Sequence, residues 1–537
     1  MTLNNDDLEL GNLGGINREE IGAVSNFTQC LFKKKCPDDM IKSAEGSGLK
    51  KTLNAFDLIM LGVGAIIGSG IFTVVGIAAA GGPQTAGAGP ALVVSMILAS
   101  LACVFSAMCY SEFASMIPAA GSAYLYTYAT MGEFLAWIVG WVLVLEYLVG
   151  YIAVSAAWTG YFMQFLKGFE HVLPSWLVNP PIWLISDYQS ASYNLTQQHL
   201  NPADIIPSIG GIPIAMNLPG IIVAVLICTI LIRGIKESTK VAGIMVFIKL
   251  GVIALFVITG AFYIRPENWT PFAPNGFEGI FMGAFIIFFA YIGFDAIATA
   301  AEETKNPQKN LPIGIIGSLA ICTIVYVLVA LVLTGVVPMG QIDTHAPIAH
   351  AMRFVGKDWI AGLISIGALT GLSSVLLVLM LAGSRVLYAM SRDNFLPKIL
   401  QSVHKKYKTP YIITIMVALI CIVGSLFLNL NIAAELCNFG TFTSFIIVCV
   451  AVIILRKIDP DRHRPFKVPF APWFPLLGII CCGGLMFYSM KDLTTSRVLF
   501  PIWLVIGAVI YFSFGYKEQR KLEKRTGQSA KDSKSGR

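Results

Sequence analysis

The chain has 537 residues, 56% of them hydrophobic and only 13% charged, where a soluble globular protein carries about 25% charged residues. With a mean hydropathy of +0.72, this composition excludes a soluble domain and places the chain in a membrane. The net charge of +7 has meaning only once the charges are located.

Residues 1–50 are polar, with an acidic start at Asp6, Asp7 and Glu9 and a basic run at Lys33, Lys34 and Lys35. They read as a mostly disordered cytoplasmic tail with room for a helix lying on the membrane. No cleavable signal peptide is recognisable there, so the first apolar stretch is expected to act as its own insertion signal. A bilayer needs about 20 apolar residues per crossing. Six such stretches fall near residues 56–79, 90–114, 134–163, 217–235, 241–264 and 278–301. Six more fall near 311–336, 359–388, 411–429, 432–455, 473–490 and 497–515. The third and eighth are long enough to tilt. Together they predict one twelve-span domain over residues 51–516, followed by a solvated tail at 517–537.

Lys and Arg set orientation. With the N-terminus inside, 30 of the 38 Lys and Arg fall on inner segments and six on outer loops, leaving Lys249 and Arg385 within spans. Both ends are therefore expected in the cytoplasm. The excess charge is a topology signal, and no nucleic-acid partner is implied. The long outer loop at about 166–216 carries Pro174, Pro180, Pro181, Pro202 and Pro207, which predicts an ordered cover over the span ends. It holds none of the eleven cysteines. Cys30 and Cys36 flank the basic run in the reducing cytoplasm. His and Cys show no metal-ligand spacing, so no metal or cofactor is expected.

In the first span, "LGVGAIIGSGIFTVVG" at residues 61–76 holds five glycines. Each weakens a helix by roughly 0.8–1.0 kcal/mol relative to alanine. Close helix packing accounts for pairs such as Gly64 and Gly68. It does not require Gly68, Ser69 and Gly70 in succession. That run predicts a break, and unpaired backbone survives mid-membrane only where a cavity or ligand satisfies it. The sixth span repeats the pattern: "AIIGSG" at 65–70 matches "AYIGFD" at 290–295, in a span of opposite direction, as inverted-repeat transporters show. Amides from Ser69 onward would attract a carboxylate. Carbonyls of the inner half of span one, with those near Phe289 and Ala290, would suit an ammonium. Together these describe a cradle for an α-amino acid.

The stretches "GVGAIIGSGIF", "YSEFASMIPAAGSAYLYTYATMGEFLAWIVGW", "FFAYIGFDAIATAAEETKNPQKNLPIGI" and "SRVLYAMSRDNFLP" closely resemble the cationic amino acid transporter family. That family sits in the amino acid–polyamine–organocation superfamily, and the resemblance covers nearly all of 50–515. It implies an all-α integral membrane protein of leucine-transporter type. Its five-plus-five inverted repeat would occupy about 56–264 and 278–455, with helices 1 and 6 broken mid-membrane and two extra helices at 473–515. By this likeness Ile66, Gly68, Ser69 and Gly70 hold the substrate carboxylate. Phe289, Ala290 and Ile292 hold its amino group and shape the pocket, with Phe289 a candidate gate.

Two charges lie deep. Lys249 is nine residues past Lys240, about 13 Å into the membrane, and Glu146 is about 18 Å into span three. Such charges cost at least ~2.5 kcal/mol each at the centre and normally pair. A structural Glu146–Lys249 ion pair and a proton-exchanging Lys249 both fit the residues alone. The resemblance favours the second, with Glu146 as modulator, because sodium-independent members carry a lysine at this position. Ser373 and Ser374 keep a sodium site open. Asp295 reads as an N-cap of the inner half of span six, with direct substrate contact as the alternative. Glu302, Glu303 and Arg385 read as solvated span ends, with a gate network as the alternative; Glu112 reads as interfacial. Leu372 or Thr370 would face the substrate.

The expected function is import of L-amino acids, cationic or neutral, across a plasma or bacterial inner membrane, coupled to protons and independent of sodium. An exchanger without net proton movement and a transporter-derived sensor are the alternatives. The spans show no triad-like, paired-carboxylate or metal spacing, which argues against a membrane-embedded enzyme.

Overall fold

The computed structural model describes residues 31–45, 51–82, 85–344, 346–490 and 494–521. The acidic start, Cys30 and most of the final tail lie outside these residues. Among the described residues nine helices are long and apolar enough to cross a membrane. Three shorter apolar helices, Leu218–Arg233, Tyr411–Gly424 and Trp473–Ser489, stand where spans four, nine and eleven were expected. Span numbers are kept below for these positions. The face carrying residues 31–53 and 516–521 is called inner.

Local chemistry starts several of these helices. Asn54 opens span one with a capping box: its side chain accepts from the amides of Phe56 and Asp57, and the Asp57 carboxylate accepts from the Asn54 amide at 3.0 Å. Asn217 caps span four through the Gly220 amide at 2.9 Å and also accepts the Thr159 hydroxyl of span three at 2.6 Å. One side chain thus both starts a helix and fixes its neighbour. Gly132, at φ +101°, begins span three where a Cβ would strike the backbone of Phe32; only glycine accommodates both the turn and that approach.

Spans three (Glu133–Lys167) and eight (Asp358–Arg392) are the longest helices at 35 residues each. They pack along one another, span three also meets span ten (Leu430–Ile458), and span eight also meets span five (Ile235–Ala261). Span seven (Pro307–Val336) lies against spans one and two. The two broken spans are held between these groups. Span twelve (Thr494–Ile510) docks on span three through Trp141 and Trp503, stacked at 4.4 Å between ring centres. Each indole N–H of that pair donates to the other residue's carbonyl.

The outer loop is ordered cover. Helices Ser175–Val178, Tyr188–Gln197 and Pro202–Ile205 surround a small core of Ala191, Leu195, Ile206 and Ala215. The inner tail departs from expectation. Helix Pro37–Glu45 does not rest on a membrane surface alone, because Met40 is only 1% exposed and belongs to the main core. Asp38, Asp39 and Lys42 in the same helix supply its polar positions.

Candidate functional site

Both predicted breaks are present. Span one runs as Ala55–Ile66, turns extended at Ile67 (φ −77°, ψ 100°), and resumes through a wide turn, Gly70–Val74, into Val75–Ala80. Span six runs as Gly276–Phe288, tightens over Phe289–Tyr291, turns extended at Ile292 (φ −65°, ψ 138°), and resumes at Ala296–Thr299. Gly293 between them has φ +125°, a conformation that side chains rarely adopt.

The breaks press on one another in a crossed pattern. A Cβ on Gly70 would collide with Ala290, and one on Gly293 would sit 2.8 Å from the Cβ of Ala65. A Cβ on Gly68 would lie 2.5 Å from Cγ2 of Val375 in span eight. These glycines are therefore required twice over: by the break and by the approach of the wall facing it. Among the described residues the amides of Gly68 and Ser69 at the first break make no backbone hydrogen bond, and neither does that of Ile292 at the second; the Gly293 amide is directed at the Asp295 carboxylate. Ser69 is 2% exposed and Phe289 8%. Buried amides without partners are rare, and here they stand on facing segments.

Most of the freed carbonyls have partners that the sequence reading missed. The Lys249 ammonium donates to the carbonyls of Gly64 at 3.0 Å and Ile67 at 2.6 Å, and to the Ser374 hydroxyl at 3.0 Å. The Tyr326 hydroxyl bridges the carbonyls of Ile66 at 2.7 Å and Ala290 at 2.8 Å, one from each break. Tyr326 is a lone tyrosine in an aliphatic stretch of span seven, which was the available signal. Thr370 turns back to the carbonyl of Gly367 at 2.9 Å, and Leu372 is fully buried.

The structure overturns the Glu146–Lys249 ion pair. Lys249 is fully buried against backbone carbonyls, whereas Glu146 faces span ten, with Ser444 at 3.5 Å from Oε2 and no partner for Oε1. Asp295 stands at the expected cap position, but its side chain makes no cap bond. It accepts the Tyr147 hydroxyl instead, and its Oδ1 is unpartnered. Tyr147 follows Glu146 in the chain, so two buried carboxylates share one stretch of span three.

The inner ends also differ from the solvated reading. Glu303 pairs with Arg385 at 2.6 Å, both side chains 3% exposed, and Glu302 pairs with Arg392 at 3.0 Å while accepting the Ala120 amide at 3.0 Å. Burial pushes the Glu303 carboxyl above its ordinary range, with Arg385 pulling the other way. Glu112 is buried rather than interfacial: it accepts from Nε and Nη2 of Arg456 and from the Val468 amide, pinning the loop after span ten.

The sequence profile described as amino acid permease matches residues 53–511. The chain belongs to the amino acid permease family. Its members among the relatives are transporters and permeases, not enzymes. The methylthioribose transporter of Bacillus subtilis is 41% identical over 487 residues, covering 91% of this chain and 98% of that protein. The branched-chain amino acid permease BcaP of the same organism is 43% identical over 493 residues, with the same coverage. The chloroplastic cationic amino acid transporter 9 of Arabidopsis thaliana is 35% identical over 523 residues, 94% of this chain and 87% of that protein. The permease family is a multi-span membrane family, and its profile runs from just before span one into span twelve.

Proposed function

We propose that this permease imports L-amino acids, neutral or cationic, by alternating access, driven by protons and without sodium. Residues 51–516 form the transport domain, with both termini in the cytoplasm, as the Lys and Arg distribution supports. The freed amides of span one receive the substrate carboxylate at Ile66, Gly68, Ser69 and Gly70, and the backbone carbonyls of span six at Phe289, Ala290 and Ile292 surround its amino group.

The Lys249 contacts carry the coupling proposal. An ammonium has three protons, and each has an acceptor at the inner side of the first break. A fixed cation thus stands on the carbonyls and hydroxyl that a sodium ion would otherwise need. Loss of one proton removes the charge and one bond together, loosening the inner half of span one from spans five and eight. Glu146 and Asp295 modulate that step. Burying two carboxylates with no cation bonded to either costs several kcal/mol per charge, a cost that a bound proton removes.

The test is uptake of labelled leucine and arginine into proteoliposomes under an inward proton gradient, with and without sodium. Accumulation of at least one of them that depends on the gradient and ignores sodium is the expected result. Lys249→Met should still equilibrate label but not concentrate it. Concentrative uptake by that variant, or a sodium requirement in the unaltered protein, would remove the coupling assignment.

A further inference from the structure

Two clefts meet at the inner end of span seven, and their linings differ. The first is a groove of about 570 Å³, walled on the span by Pro312, Ile313, Ile316 and Gly317 and on the other side by Pro465 and Phe466 of the loop after span ten. Of its lining residues only Gln308 and Lys309 have polar side chains. The second is a polar cleft of about 370 Å³, to which Lys51, Asn306, Gln308 and Lys309 contribute. Gln308 and Lys309 line both, so the polar cleft adjoins the apolar groove at the first turn of span seven.

The walls of the groove are held apart. On the loop side, the Phe466 amide donates to the Ser115 hydroxyl at 3.3 Å and the Val468 amide to Glu112 at 2.7 Å, both at the inner end of span two. On the other side stands a 30-residue helix. From Lys309 to Gly317 that helix descends about 12 Å, against about 15 Å of hydrocarbon in one leaflet. Phe470 and Trp473, further along the same loop, are 75% and 69% exposed, as aromatic side chains at a membrane boundary are. Lys309 therefore stands at headgroup depth, with the apolar groove below it. The polar cleft favours an anion. Lys51 and Lys309 bring two cations, and Asn306 gives the first turn of span seven no side-chain cap, which leaves the positive end of the helix to an outside partner. Glu302, the acidic residue of that lining, is already bonded to Arg392 and to the Ala120 amide.

We propose that the two joined clefts are a binding site for one anionic phospholipid of the inner leaflet. One acyl chain lies in the groove between span seven and the loop after span ten, and the headgroup phosphate sits at Lys309 and Lys51. A soluble phosphate would fill the polar cleft and leave the groove unused. A peptide would carry backbone amides and carbonyls into hydrocarbon, where each unsatisfied group costs several kcal/mol. A phospholipid has a charged end and an apolar end in the order in which the two clefts are joined. Its occupancy braces the inner end of span seven against the pinned loop.

The test is native mass spectrometry of the full chain in detergent, offered equal amounts of phosphatidylglycerol and phosphatidylcholine with the same acyl chains. One phosphatidylglycerol should be retained in preference to phosphatidylcholine by about five- to thirtyfold, since each lysine near a headgroup contributes about fivefold. Lys51→Gln combined with Lys309→Gln should bring that preference to within about twofold of none. Both side chains are exposed, so the variant keeps its fold. Lys398→Gln combined with Lys405→Gln removes the same charge from exposed positions between spans eight and nine, and should leave the preference within about twofold of the parent. Ile316→Trp, which fills the groove, should cut retention about tenfold or more, because each methylene kept from burial forfeits about fourfold. If that variant does not fold, the unaltered protein answers the same question: neither glycerophosphoglycerol, the headgroup without chains, nor inorganic phosphate should displace the lipid when present in excess. Displacement by either assigns the cleft to a soluble anion and overturns the lipid site. Equal retention of the two lipids, or a preference that survives loss of Lys51 and Lys309, overturns it as well.

Discussion

Gly68 shows how one residue can meet two demands at once. Its missing side chain allows the break and makes room for Val375, whose Cγ2 would lie 2.5 Å from an added Cβ. Gly68→Leu should therefore abolish the thermal shift that bound substrate produces, while the apo protein loses only about 1–3 kcal/mol as overpacking typically costs. Gly68→Ala combined with Val375→Ala should recover part of the shift; normal substrate affinity in Gly68→Leu would contradict the site. Tyr326 makes a second residue-scale prediction. Its hydroxyl is shared by Ile66 and Ala290 carbonyls, and Tyr326→Phe leaves two buried acceptors without that donor. A loss of about 1–3 kcal/mol, read by thermal unfolding, should accompany slower exchange. An unchanged melting temperature would show that the bridge holds nothing. The glycine breaks were legible because glycine's backbone chemistry is local. Tyr326, Val375 and the Ser374 bond to Gly64 were not, because each contact joins residues more than 250 positions apart or depends on which way a helix is turned.

At the scale of elements, apolar length revealed the spans and their approximate ends, but it said nothing about which spans touch. Span twelve illustrates this. Its sequence is an ordinary apolar stretch, yet Gly507 sits against Trp141 so closely that a Cβ would fall within the indole ring's space, and its carbonyl takes the Trp137 indole N–H at 2.8 Å. Gly507→Val should push span twelve off span three. The expected signs are a red-shifted tryptophan emission as Trp141 and Trp503 unstack, and a lowered melting temperature equivalent to about 1–3 kcal/mol. Emission and melting both unchanged would mean that the helices can part without cost. Glu112 carries the same lesson for charge. It looked interfacial because it ends a span, but the loop after span ten folds back and buries it with Arg456. Arg456 keeps 29% of its side chain exposed, so the cost of Glu112→Ala lies mainly in the buried Val468 amide left without its acceptor, about 1–3 kcal/mol, which thermal unfolding should read as more than the loss of a surface carboxylate.

For the molecule as a whole, two independent arguments about packing and direction meet. The crossed contacts, Gly70 against Ala290 and Gly293 against Ala65, set the leading alanine of each "A-x-I-G" segment against a glycine of the other, so the two breaks interlock although the paired positions are not equivalent. The Lys and Arg distribution supports the proposed orientation, with both tails on the cytoplasmic side. Both tails converge at one face: Lys35 binds the Asp393 carboxylate and Gln519 donates to the Asp393 carbonyl. That face is the one the charges assign to the cytoplasm, so its exposed thiol should be reachable from that side alone. In a Cys30→Ser background, a membrane-impermeant maleimide should label Cys36 in inside-out vesicles and leave it unmodified in right-side-out ones. The other described cysteines are buried or half-buried and provide little background. Labelling from the outside would invert the molecule. The cradle's ammonium side would then face the opposite compartment.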